Sequence, residues 1–216
     1  MLRSRSQPDR QSLSRVKRLM SPMFAAVLAS VFVPVVAFSA SAHADWNLSP
    51  DSRISFLSTK NIDVTEVHHF KQLSGTVTSA GNASVRIPLT SVETRIPIRN
   101  DRLQKMLFEV DKFATADINA KLPESLMLPL KNGETVVATL PITLRLHGIT
   151  QSLKADVLAT SAHDGQIVVT SLSPVLVRAA DFELSAGVEA LRKVVGLEAI
   201  SSTVPVTFTL LFNEAE

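Results

Sequence analysis

Apolar and polar residues alternate along most of this chain. In residues 53–59, RISFLST, Ile54 and Phe56 share a face, and in 83–90, ASVRIPLT, Val85, Ile87 and Leu89 do the same. The longest alternation, TVVATLPITLRL at 135–146, sets Val136, Ala138, Leu140, Ile142, Leu144 and Leu146 opposite Thr135, Thr139, Thr143 and Arg145. SLKADVLA at 152–159 sets Leu153, Ala155 and Val157 against Lys154 and Asp156. TVPVTFTLLF at 203–212 aligns Val204, Val206, Phe208 and Leu210 against threonines. A period of two marks strands with one face in a core and one in water. The segments SAGN (79–82), KNGE (131–134), HGIT (147–150) and HDGQ (163–166) read as antiparallel hairpin turns between such strands. About eight strands joined by short turns predict a mainly β protein, a barrel or sandwich. Pro88, Pro141 and Pro205 interrupt strand patterns and predict edges, bulges or bends.

One stretch departs from this period. In IRNDRLQKMLFEVDKF (98–113) the apolar residues Leu103, Met106, Leu107, Val110, Phe113 and then Ala114 fall at helical spacing. Asp101 and Gln104 predict a capping box, and Asp101 with Lys105 an i,i+4 ion pair. The expectation is a helix of about three turns, with Phe108 off its main stripe and directed to a neighbouring strand or the mouth of a cavity. GVEALRKVVG at 187–196 predicts a second, shorter helix.

The N-terminus has a different character. Arg3, Arg5, Arg10, Arg15, Lys17 and Arg18 precede the apolar run FAAVLASVFVPVVAF and the small-residue segment ASAHA. This order predicts a secretory signal cleaved after Ala44, leaving one domain over 45–216. The formal charge of +2 changes sign without it. Six of the 22 basic and one of the 20 acidic residues lie there, which leaves 16 against 19, a net −3. A mildly acidic exported chain gives no reason to expect a nucleic-acid partner. With no cysteine in the chain, disulfides, thiol chemistry and thiolate metal sites are excluded.

RIPLTSVETRIPIRNDRLQKMLFEV resembles the strand-to-helix segment of YceI-like proteins, LPITLRLHGITQSLKADV their Leu-rich hairpin, and VPVTFTLLF their last strand. The opening WNLSPDSRISFLSTKNIDVTEVHHFKQLSGTV has the family's initial Trp and first hairpin. VRAADFEL is similar to the family's Arg-x-Asp-Phe-Gly, but with an extra residue between Arg178 and Asp181 and with Glu183 in place of the Gly. The resemblance runs over nearly all of 46–212. It implies a periplasmic, lipocalin-like antiparallel β-barrel of about eight strands with one or two short helices. It further implies a non-catalytic binding or carrier protein whose interior holds a polyisoprenoid or other long-chain lipid, with no cofactor.

On that reading the expected wall of the cavity comprises Phe56, Leu140, Ile142, Leu144, Phe182, Val206 and Phe208. The helix adds Leu103, Met106, Leu107 and Val110, whose stripe otherwise reads as plain core. Arg95, Arg99 and Arg102 are candidates for a head-group phosphate or phenol, against a solvated face paired with Asp101 or Glu93. His68 and His69 are adjacent, so on a strand they point to opposite faces and do not share a metal ion. Arg178, Asp181 and Glu183 read as a strand-end ion pair rather than an acid/base pair. There is no nucleophile elbow, phosphate loop, dinucleotide fingerprint or zinc helix. The alternative is a barrel with a filled core that acts on a protein partner through its outer surface. Ligand identity and oligomeric state stay open.

Overall fold

A computed structural model describes residues 46–162 and 165–215. The basic and apolar N-terminal segment, the expected cleavage after Ala44, and His163 lie outside the described residues. From the N-terminal side the strands are β1 (Trp46–Leu48), β2 (Arg53–Lys60), β3 (Val64–Phe70), β4 (Ser74–Val77), β5 (Asn82–Pro88) and β6 (Val92–Glu93). After helix α1 (Pro97–Arg102) come β7 (Thr115–Lys121), helix α2 (Glu124–Lys131), β8 (Thr135–Leu146) and β9 (Ile149–Ser161). Then follow β10 (Ile167–Ser171), β11 (Val175–Arg178), helix α3 (Ser185–Val194) and β12 (Thr203–Glu214).

Antiparallel pairing runs β1–β4–β5–β7–β8–β9–β10–β12, and a β1–β12 pairing closes the ring into a barrel of eight staves. Some staves are interrupted. β1 and β2 both pair with β12, as do β10 and β11 on its other side. The break between β1 and β2 is tied in place by two buried serines. Ser49 N–H donates to the Leu211 carbonyl at 2.7 Å, and Ser52 Oγ accepts from the Leu211 N–H at 2.9 Å.

The strand periodicity survives in detail. The 135–146 alternation is β8 itself, paired with β9 from Thr135↔Thr160 to Leu146↔Ile149. Its turn is His147–Gly148, with φ of 52° and 80°, the two positive values a two-residue hairpin of this hand requires. The prolines sit where ladders stop. β7 pairs with β8 only as far as Ile142, one residue short of Pro141, and β2 pairs with β12 only from Val206, one residue past Pro205.

Two expectations are corrected. KNGE is not a hairpin turn: it follows α2, which the strand reading missed because Pro129 stands inside it and KNG reads as a turn. The first helix also begins earlier than the capping box suggests. Pro97 occupies its first turn, where a fixed φ and a missing N–H cost nothing. Gln104 reaches the Thr90 carbonyl (3.0 Å) instead of closing a box, while the Asp101–Lys105 pair forms as expected at 2.8 Å. Beyond Arg102 the helix widens into a π-turn, Leu103–Leu107, and Glu109 at φ 47° ends it. Val110, Phe113 and Ala114 therefore lie past the helix. The second predicted helix is present as α3.

Candidate functional site

The inward faces of the strands enclose two adjoining apolar chambers, of about 160 and about 130 Å³. Both are walled by Ile54, Ile118, Ile142 and Phe208, so these four form a waist between them. The wall of each chamber contains one polar residue, Ser201 in the larger and Ser84 in the smaller, and no charged residue. The larger is roofed by Leu107 and Phe108 of the π-turn segment and by Leu184 and Val188 beside and within α3. The smaller is plugged by α2 through Leu126, Met127 and Leu130.

The roof depends on two backbone features. Phe108 N–H donates to the Leu103 carbonyl, five residues back, at 2.9 Å. The extra residue in that turn carries Phe108 from off the stripe onto the lumen side, where it is 7 % exposed and its ring lies 6.3 Å from that of Phe70. Gly187 lets α3 rest directly on this turn: a Cβ there would stand 2.7 Å from the Met106 carbonyl oxygen.

Of the expected wall residues, Phe56, Leu107, Leu144 and Val206 line the larger chamber, Leu140 the smaller, and Ile142 and Phe208 both. Leu103 and Val110 pack on the hydrophobic core without reaching either chamber, and Met106 lines neither. Phe182 lies behind the wall, fully buried in the turn Ala179–Phe182, with its carbonyl 3.2 Å from His147 Nδ1. Phe108, set off the stripe in the sequence and a candidate there for a neighbouring strand or the cavity mouth, lines the larger chamber, whereas Phe70, Met127, Leu130 and Val188 are wall residues that the sequence reading did not single out. For Met127 and Leu130 the signal was their spacing of three after a helix-starting Glu124. For Phe70 it was the shared face of Glu66, His68 and Phe70.

The three arginines do not converge. Arg99 is committed: Nη1 donates to Glu66 Oε2 at 2.7 Å and Nη2 to the Thr94 carbonyl at 2.6 Å. Arg95 is exposed at φ 63°, and its backbone N–H donates to Glu93 at 2.6 Å. Arg102 is half-buried without a side-chain partner among the described residues. The partner found for Arg99 is thus Glu66 rather than Asp101 or Glu93. Arg178, Asp181 and Glu183 make no ion pair with one another among the described residues. Instead the Asp181 carbonyl accepts from Gln151 at 2.9 Å, and Glu183 has φ 56°.

His68 and His69 point to opposite faces, as their adjacency requires. His68, 3 % exposed, lies on the inner face opposite Phe56, with ring centroids 5.3 Å apart and Nε2 2.8 Å from Ser58 Oγ. Burial, reinforced by the Arg99 charge, pushes its pKa down to about 4. Glu66 is held down at about 2 by the Lys60 hydrogen bond and then by Arg99, against a burial effect of opposite sign. Among the described residues no group of acidic or histidine side chains is placed to hold a metal.

A closed antiparallel barrel with an apolar lumen defines a lipocalin-like architecture. The YceI-like domain family matches residues 46–212, and the chain belongs to that family. It is similar to the structure of a polyisoprenoid binding domain from Saccharophagus degradans implicated in plant cell wall breakdown. That likeness has 34 % identity and a TM-score of 0.76, covering 80 % of this chain and all of the other. Burkholderia cenocepacia BcnA (17 % identity, TM-score 0.56, 76 % of this chain and 98 % of the other) shares the fold. So does the Campylobacter jejuni YCEI protein (19 %, 0.52, 73 % and 91 %). No curated protein matches the sequence.

Proposed function

We propose that this protein is a non-catalytic binding or carrier protein of the periplasm that holds the apolar chain of a polyisoprenoid or similar lipid inside its barrel. The observation that carries this reading is the lumen itself: two joined chambers whose walls contain one serine each and no charged group. Such a surface offers neither serine a lining base to activate it, and it suits a chain of methyl and methylene groups. Each methylene moved there from water contributes roughly 0.8 kcal/mol. The likeness to a polyisoprenoid binding domain supports the choice of chain, and the basic, apolar, small-residue order of the first 44 residues supports export.

Each chamber is close to the size of an engineered apolar cavity that takes up benzene, about 150 Å³. A chain longer than one ring's width therefore threads the waist, pressing aside Ile142 and Phe208. Filling variants test this. Ala155→Phe narrows the smaller chamber and Ile142→Trp closes the waist. Both are expected to lower binding of a long-chain prenol at least tenfold, whereas Arg86→Ala, on the outer face, leaves it unchanged. Equal binding by all four proteins would remove the lumen as the site and favour an outer-surface partner.

A further inference from the structure

Exposed apolar side chains are not spread evenly over the barrel. Among the described residues eleven large ones are exposed, and six of these stand on the three elements that meet at the roofed end. Ile62 (88 % exposed) and Val64 lie at the tip of the β2–β3 hairpin, Ile96 and Ile98 at the start of α1, and Val194 and Val195 at the end of α3. At the opposite end α2 exposes Leu128, and the remaining four are carried by β3, β8, β11 and the β10–β11 turn.

The three elements hold one another. Asn61 N–H donates to the Ala199 carbonyl at 2.8 Å, and Asn61 Oδ1 accepts from the Glu198 N–H at 3.1 Å, which ties the hairpin tip to the segment after α3. Arg99 of α1 reaches Glu66 on β3, and Gly187 seats α3 on the π-turn. The exposed side chains therefore belong to one braced rim rather than to independent loops. The rim is also electropositive. Residues 60–66, 95–107 and 185–198 carry seven basic and five acidic side chains, a net +2, whereas 45–216 as a whole is net −3. Arg95 and Arg102, which bracket Ile96 and Ile98, make no ion pair among the described residues. The acidic groups of the rim without an ion pair, Asp63 and Glu198, belong to the hairpin tip and the segment after α3, so the positive excess is concentrated at α1.

We propose that this rim docks on the surface of a bilayer that bears anionic lipids, with Ile62 and its apolar neighbours entering the interface and Arg95 and Arg102 lying on the head groups. The roofed end of the lumen then faces the membrane. The proposal rests on the lipid-carrier reading and adds where the ligand is exchanged; the contact is with the bilayer, not with the cargo. An isoleucine at a hairpin tip contributes nothing by burial in the free protein, but leaves water when the tip enters an interface. Docking of this kind strengthens with the apolar area buried and with the attraction of cations to anionic lipid, and the rim supplies both. A long hydrocarbon chain is held in a bilayer by the same effect that holds it in the lumen, so a carrier gains by meeting the bilayer with the end that admits the chain. A second copy of the chain fits this rim less well, because pairing two rims brings two positive excesses together.

The test is co-sedimentation of the exported protein, purified from the cell envelope and delipidated, with vesicles at low ionic strength. One set is phosphatidylcholine alone, the other phosphatidylcholine and phosphatidylglycerol in equal parts. The mixed vesicles are expected to bind the protein about tenfold more tightly than the neutral ones. Ile62→Ser/Val194→Ser is expected to weaken binding to both sets by about tenfold or more. Arg95→Gln/Arg102→Gln is expected to bring the mixed vesicles close to the neutral ones, and Val137→Ser/Leu176→Ser, at exposed strand positions, to change neither. Uptake of a short prenol dispersed in water is expected to be equal in the wild type and in Ile62→Ser/Val194→Ser, whereas uptake from vesicles slows in the variant. Prenol uptake by a wild type that sediments with neither vesicle, or rim variants that sediment like the wild type, overturns the docking and leaves the lumen reading standing. Vesicle binding that the rim variants lose, without prenol uptake from either source, supports the rim and overturns the lumen reading. Rim variants that lose self-association instead of vesicle binding overturn the docking in favour of a second copy.

Discussion

His68 enters the fold uncharged, and this couples stability to pH. Its unfolded value near 6.5 falls to about 4 in the barrel. Between these values the unfolded chain binds more protons, so stability falls as the pH is lowered through that window. The difference corresponds to roughly 3 kcal/mol once fully expressed. The charges that face it are Lys60 on β2, Glu66 on β3, and Arg95 and Arg99 around the start of α1. Urea midpoints measured between pH 7 and pH 4 are expected to drop in the wild type and to drop less in His68→Phe, where His69, whose pKa is also lowered by burial, still contributes. A second loss belongs to Glu66, whose carboxylate titrates at about 2 rather than 4.5. Its contribution is complete above pH 4.5, is lost below it, and is expected to persist in His68→Phe. A His68→Phe curve parallel to that of the wild type would contradict this assignment.

Glu183 supplies a separate test at the same scale. The family pattern has Gly where Glu183 stands, and the chain passes through φ 56° there, a conformation that costs an L side chain roughly 1–2 kcal/mol. The Glu183 side chain is exposed and paired with nothing among the described residues. Glu183→Gly is therefore expected to raise the urea midpoint by the equivalent of about 1 kcal/mol, less the entropy glycine adds to the unfolded chain. An unchanged or lower midpoint would show that the turn holds Glu183 without strain. The sequence marked this position, because the departure from the family pattern was visible; the sign of φ was not.

At the level of elements, the long strands were legible because a period of two and a turn dipeptide agree. β8 begins and ends where the alternation does, and His147–Gly148 closes it. What escaped was structure set by backbone rather than by side-chain period. The π-turn, marked by the Phe108-to-Leu103 hydrogen bond, is announced by no residue pattern, yet it decides that Phe108 faces the lumen. Likewise α2 hides behind Pro129. Gly187 was read only as the start of a helix, whereas its lack of a side chain lets α3 close on the π-turn. Gly187→Ala puts a methyl 2.7 Å from the Met106 carbonyl and 3.0 Å from the Leu107 Cα, both backbone atoms that cannot swing away. The variant is expected to lose about 1–3 kcal/mol, as overpacked sites do. Amide exchange in α3 and the π-turn should accelerate more than in β8 and β9. Uniform acceleration throughout the barrel would argue that the two roof elements do not form a separable lid.

For the whole molecule, the inward faces of eight staves leave room because their side chains are mostly aliphatic, with alanines at 83, 120, 138, 155 and 159 in the wall of the smaller chamber. The wall residues on β2, β8 and β12 could be named from the sequence, since parity along a strand fixes which side chains share a face. The division into two chambers could not, because the waist brings Ile54, Ile118, Ile142 and Phe208 together from four strands. Nor could the unpaired polar atoms of His68, Arg99 and His147, each of which depends on tertiary packing. Removing the waist should change the range of ligands rather than abolish binding. Phe208→Ala merges the chambers and is expected to improve binding of longer prenols relative to shorter ones, while the fold loses about 3–5 kcal/mol. A variant with unaltered chain-length preference would show that Phe208 does not gate the lumen.

The most direct measurement of the central claim is native mass spectrometry of the protein purified from its own cell envelope, followed by organic extraction of whatever it carries. A bound apolar-chain lipid, present in the wild type and absent from Ala155→Phe and Ile142→Trp, is the predicted result. A wild-type protein that emerges ligand-free, and that neither variant distinguishes in its capacity to take up added lipid, would contradict it.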